Sequence, residues 1–127
     1  MTDFSHTFGA RENEQFAASL DKSQDAQRNW IVTIRFYSLL HYVEERLEAE
    51  NYGANTHRDR RNNIKKCPAL DDKIYIIYRF LEDLSRDSRY RCIRMDDEEV
   101  DEAEKRLENA KEIMGFSHDS ETTKYST

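Results

Sequence analysis

The sequence predicts an all-α fold, an antiparallel four-helix up-and-down bundle. Apolar residues recur at intervals of three and four through most of its length. Three Gly and one Pro in 127 residues are too few for the turns of a sandwich or barrel. The periodic stretches are joined by short connections, which suits antiparallel neighbours in a bundle. A chain of this length buries about 65% of its unfolded surface, enough for one core.

Each element has its own justification. Residues 1–8 are polar and aperiodic, and are expected to form a loose arm before a bundle domain over residues 9–116. Over residues 10–24 only Phe16, Ala17 and Leu20 fall at helical spacing, which predicts a short, weakly amphipathic first helix. Residues 25–50 carry the strongest signal: Trp30, Ile34, Tyr37, His41 and Glu44 follow a 4-3-4-3 spacing. Ile31, Phe36, Leu40, Val43 and Leu47 flank that stripe, so this helix should touch several neighbours. Asn51-Tyr52-Gly53 ends it, with Gly53 the expected left-handed cap. Residues 54–66 read as a polar connection with at most a short helical turn. Pro68 suits the first turn of a third helix reaching residue 91, with Leu70, Ile74, Ile77, Leu81, Leu84 and Ser88 on one stripe. The Ile-Tyr-Ile-Ile-Tyr run within it would suit a strand alone, but it lies inside a longer helical period. Asp96 and Glu99 predict a capping box for the fourth helix. Its stripe is Val100, Ala103, Leu107, Ala110 and Met114, and Gly115 stops it. Residues 117–127 are expected to be a disordered tail.

Charge restricts the possible functions. Twenty Lys and Arg against 26 Asp and Glu give a net charge of −6, which argues against non-specific coating of nucleic acid or membranes. No apolar run approaches the ~18 residues that cross a bilayer, and the first residues lack a signal-peptide pattern. A cytoplasmic protein without a membrane partner is expected. Cys67 and Cys92 form no CxxC pair and read as free thiols. No Asp, Glu and His cluster at ligand spacing is visible, so neither metal nor cofactor is expected.

The basic residues are segregated. Arg58, Arg60, Arg61, Lys65 and Lys66 follow His57, and Arg86, Arg89, Arg91 and Arg94 end the third helix. The two groups flank a helix of ~30 Å, so within one chain they are expected at opposite ends. They would converge across an antiparallel dimer, where Arg and Lys attract phosphates. The competing reading pairs residues 86–94 with the acidic start of the fourth helix.

The string Phe36-Tyr37-Ser38-Leu39-Leu40-His41 resembles the aromatic-x-small-x-x-His signature of HEPN domains. So does the order of Thr56-His57-Arg58-Asp59-Arg60 before Tyr78-x-x-Leu81 and Ser85-Arg86-x-x-Arg89-Tyr90. The likeness spans roughly residues 26–91. It implies a small helical bundle, usually homodimeric, that acts as a metal-independent ribonuclease in toxin–antitoxin or defence systems, or binds RNA or nucleotides without cleaving. It also implies a possible nucleotidyltransferase-like protein partner. The nuclease form of the family uses Arg, a polar residue, a few more, then His. Here no His follows Arg58, Arg60 or Arg61 at that distance. The one matching interval, Arg35 to His41, has Phe36 in the polar position.

For RNA cleavage, the catalytic candidates are His57, Arg58 and Arg61, a titratable base beside cations. Arg60, Lys65, Lys66, Arg86 and Arg89 are the candidate phosphate ligands. His41 reads as a hydrogen-bonded core histidine, and His6 and His118 fall in the expected tails. Tyr75, Tyr78 and Tyr90 read as packing residues with a polar tip. The alternative function is a non-catalytic protein-interaction module. In either case the aromatic surplus on the second and third helices predicts a homodimer.

Overall fold

The computed structural model describes residues 5–116. It contains five α-helices: α1 (His6–Ser19), α2 (Asp25–Ala49), α3 (His57–Lys66), α4 (Asp72–Arg89) and α5 (Asp97–Met114). No strand occurs among the described residues, so the all-α class holds while the helix count rises to five. The added helix is α3, in the stretch expected to be a polar connection. Its signals are local. The Thr56 hydroxyl accepts from the Asp59 amide at 3.0 Å, Asp59 lies in the first turn, and Lys65 and Lys66 lie in the last. Charges so placed complement the helix dipole. Only Arg60 and Ile64 of α3 are buried, too few to register as an apolar stripe.

α2 is the hub, packed against all four other helices. Ile31 to Phe36, Ser38 to Leu40, Tyr42 to Glu44, and Leu47 are buried, so its middle is enclosed nearly all round. This agrees with apolar residues spread over more than one face. Trp30, at the N-terminal end of the stripe, is 58% exposed and lies outside the core. The expected α4–α5 seam is buried throughout: Ile77, Leu81, Leu84, Val100, Leu107 and Met114 all belong to the core.

Helix ends follow local chemistry, with three corrections. The Ser5 hydroxyl caps α1 by accepting from the Phe8 amide, so the loose arm is corrected from residue 5 onward. Residues 1–4, and the tail expected over 117–127, lie outside the described residues. At the end of α2 the left-handed residue is Asn51 (φ 66), not Gly53. The Tyr52 amide donates to the Leu47 carbonyl at 2.7 Å, the closing bond of a Schellman motif, in which Asn is the usual substitute for Gly. Pro68 does not open α4. It sits in a turn closed by Leu70 N–H to Cys67 O at 3.1 Å, and Asp71 caps the helix by accepting from Lys73. The capping box of Asp96 and Glu99 forms, and Gly115 ends α5 at φ 85.

Polar groups are buried in pairs. The fully buried Lys111 ammonium lies 2.9 Å from Glu14, and the Tyr42 hydroxyl bonds the same carboxylate, which ties α1, α2 and α5 together. Arg60 bonds Glu44 at 2.7 Å with both side chains under a tenth exposed, which fastens α3 to α2. Such pairs compensate desolvation rather than adding much net stability. No helix among the described residues is long and apolar enough to cross a membrane.

Candidate functional site

α3 runs back along α4, and this brings His57, at the head of the first basic group, beside Arg86 and Arg89 of the second, although the two groups were expected at opposite ends of the helix between them. His57, at the start of α3, is 3.4 Å from the Tyr78 hydroxyl and 3.8 Å from Glu82. Arg86 and Arg89 lie one and two turns further along α4. His57, Glu82, Ser85, Arg86, Arg89 and Tyr90 line one cavity of about 190 Å³ with Phe36 and Tyr37 at its floor. A dimer is therefore not needed to unite His57 with the α4 arginines. Lys65 stays near the other end of α4, its ammonium 4.7 Å from the Tyr75 ring.

Each predicted residue finds a definite place. Arg89 donates to the Tyr37 hydroxyl at 2.5 Å and stacks over Tyr90 at 4.5 Å. Its buried Nε has no hydrogen-bond partner, and neither does the Oγ of Ser85, which is 1% exposed. Arg86 is exposed at the cavity rim. Arg61 is committed to Glu82 at 2.8 Å. Arg60, expected as a phosphate ligand, donates to Glu44 and to the Ala54 carbonyl and so ties α3 to α2. Arg58, Lys65 and Lys66 are exposed and line no part of this cavity. Of the three catalytic candidates, only His57 does.

Electrostatics further define His57. Burial pushes its pKa below the usual imidazole range; Glu82 opposes this, and Arg60, Arg89 and Arg61 reinforce it. The ring is neutral at neutral pH. Arg60, which can only donate, lies 3.4 Å from Nδ1, so Nδ1 keeps its lone pair and Nε2 carries the proton. His57 in this state has a spare N–H rather than a spare base. Burial also drives the Tyr78 hydroxyl up to about 12, so Tyr78 stays protonated. It is fully buried, as a packing residue with a polar tip should be, whereas Tyr90 is 69% exposed and departs from that expectation.

A second cavity of about 480 Å³ adjoins at Arg89 and is lined by Asp25, Asn29, Trp30, Ser88, Cys92 and Arg94, among others. This volume falls in the ordinary range for small-molecule sites. Cys92 is a free, exposed thiol in the left-handed region (φ 55), and Cys67 is free and buried. Arg94 bonds Asp25 at the start of α2 and Arg91 bonds Asp87 one turn back on α4, so neither pairs with the acidic start of α5.

Comparisons with family profiles, with curated proteins and with solved structures find no match to this chain.

Sequence reasoning missed Ser85, Glu82 and Trp30 as lining groups. Ser85 falls one turn before Arg89, and Glu82 one turn before Arg86, so helical spacing from the arginines would have found both. Nothing in the sequence marks Trp30, since a Trp on an apolar stripe reads as core.

Proposed function

We propose that this chain is a HEPN-like helical bundle that binds the phosphates of RNA or a nucleotide in the groove between α3 and the C-terminal half of α4. The observation that carries this reading is the pair of orphaned buried donors, Ser85 Oγ and Arg89 Nε, beside the Arg86 guanidinium. Buried donors without partners are uncommon and costly. An anion in the cavity would satisfy both, and guanidinium groups grip phosphate bidentately. Neutral His57 adds a further N–H. Exposed Tyr90 lines the groove and exposed Trp30 lines the cavity adjoining it at Arg89, and both are surfaces on which bases can stack.

The tautomer of His57 favours binding without cleavage, because a base for the ribose 2′-OH needs a lone pair at the free ring nitrogen. A protein-interaction role has its own support. Trp30, Tyr90 and Ile93 are all at least 45% exposed near the α4–α5 connection, an apolar group suited to a second copy or to a nucleotidyltransferase-like partner.

Fluorescence anisotropy with a single-stranded RNA oligomer tests the proposal. Binding should weaken with salt, and Arg86→Ala should lower the log–log slope by ~0.7, one phosphate contact on a single strand. Absence of binding at low salt, or equal binding by Arg86→Ala and Arg89→Ala, would overturn it. Incubation of the same RNA with chelator present should leave it intact. Cleavage abolished by His57→Ala and retained in His41→Ala would instead establish the metal-independent ribonuclease.

A further inference from the structure

The N-terminal turn of α1 brings His6 against one face of α2. His41, Glu44 and Glu48 share that face, since they are three and four residues apart. His6 Nε2 lies 2.8 Å from Glu48 Oε2, although the two residues are 42 positions apart. His6 Nδ1 lies 3.0 Å from His41 Nδ1, with the rings stacked. One ligand atom from each of His6, Glu44 and Glu48 falls within 4.8 Å of the others. From this juxtaposition we propose that His6, Glu44 and Glu48 form a binding site for a divalent first-row transition metal ion such as Zn²⁺, with His41 orienting His6.

The chemistry of each group fits. One imidazole and two carboxylates suit Zn²⁺ or its neighbours better than Ca²⁺ or Mg²⁺, which prefer all-oxygen shells. Three protein ligands leave a fourth tetrahedral position for water. Glu44 gives Oε1 to Arg60 at 2.7 Å, while its Oε2 has only a 3.5 Å contact from the Ala54 amide, so Oε2 is the oxygen available to a metal. The Arg60 charge works against a cation, and the two carboxylates outweigh it.

His41 supplies the supporting contact. The two Nδ1 atoms face each other at 3.0 Å, so a proton on His6 Nδ1 can be donated to His41. In that tautomer His6 Nε2 presents its lone pair on the side of Glu48 Oε2, 2.8 Å away, and both atoms can ligate one cation. Histidine ligands are normally anchored through their second ring nitrogen, and loss of the anchor weakens binding 10–100-fold.

Isothermal titration of the chelator-stripped full chain with Zn²⁺ tests the proposal. One ion per chain is expected. Glu48→Gln should weaken binding at least tenfold; Glu48 is half exposed, so this variant should fold. His6→Gln should do the same, and His41→Gln should weaken binding by the 10–100-fold of a lost anchor. Co²⁺ in place of Zn²⁺ should give visible absorption in the wild type and lose it in Glu48→Gln. No binding by wild type at 1 mM Zn²⁺ overturns the proposal, as does equal affinity in wild type, His6→Gln and Glu48→Gln. Neither result touches the α3–α4 groove, whose test uses RNA with chelator present.

Discussion

Replacing Arg60 with Ala should separate the buried framework from the groove beside it. In the folded chain Arg60 Nε donates to Glu44 Oε1 at 2.7 Å, with the side chains 8% and 3% exposed. A second nitrogen donates to the Ala54 carbonyl at 3.2 Å. Removing the guanidinium takes from the buried Glu44 carboxylate its 2.7 Å charged partner. Stranding one partner of a buried pair costs ~3–5 kcal/mol, a large share of the ~5–15 kcal/mol that holds a domain folded. With a urea dependence of ~1–3 kcal/mol per molar, the unfolding midpoint should fall by roughly 2 M. Replacing both partners with apolar residues, Arg60→Met with Glu44→Leu, should recover most of the loss, because the main penalty is the unpaired charge. Urea titration followed by far-UV circular dichroism measures all three proteins. A loss below ~1 kcal/mol in Arg60→Ala would place the pair in solvent rather than in the core. A double variant no better than the single one would show that the pair itself contributes net stability. RNA affinity of the still-folded Arg60→Ala protein should match wild type at low urea, since Arg60 belongs to the framework.

Leu81→Ala should cost ~2–5 kcal/mol in the same titration, because Leu81 is fully buried; unchanged stability would put its side chain outside the core. Stability should also fall as the pH drops below 6.5. His57 and His41 both have folded-state pKa values held below the ordinary 6.5, first by burial. The unfolded chain therefore takes up protons that the folded chain refuses, and the loss grows until the pH passes the folded values. His57→Gln should flatten the curve between pH 6.5 and its folded pKa, as read from unfolding midpoints at stepped pH; an unchanged curve would mean that His57 titrates normally.

Helical content, the boundaries at Asp96 and Gly115, and the seam through Leu81, Leu107 and Met114 were all legible in the chain, because period and capping chemistry are properties of neighbours in sequence. α3 was hidden because a helix that buries only Arg60 and Ile64 has almost no apolar stripe, although Thr56, Asp59 and the terminal lysines marked its ends. Tertiary structure alone decided which charges are free to act. Arg60 and Arg86 are indistinguishable as letters, yet packing spends one on Glu44 and leaves the other at a cavity rim. The same holds for His6, which reads as part of a polar arm until α1 lays it against Glu48. Sequence spacing governs contacts within a helix, and these are contacts between helices, set by the direction in which α1 and α3 return along α2 and α4.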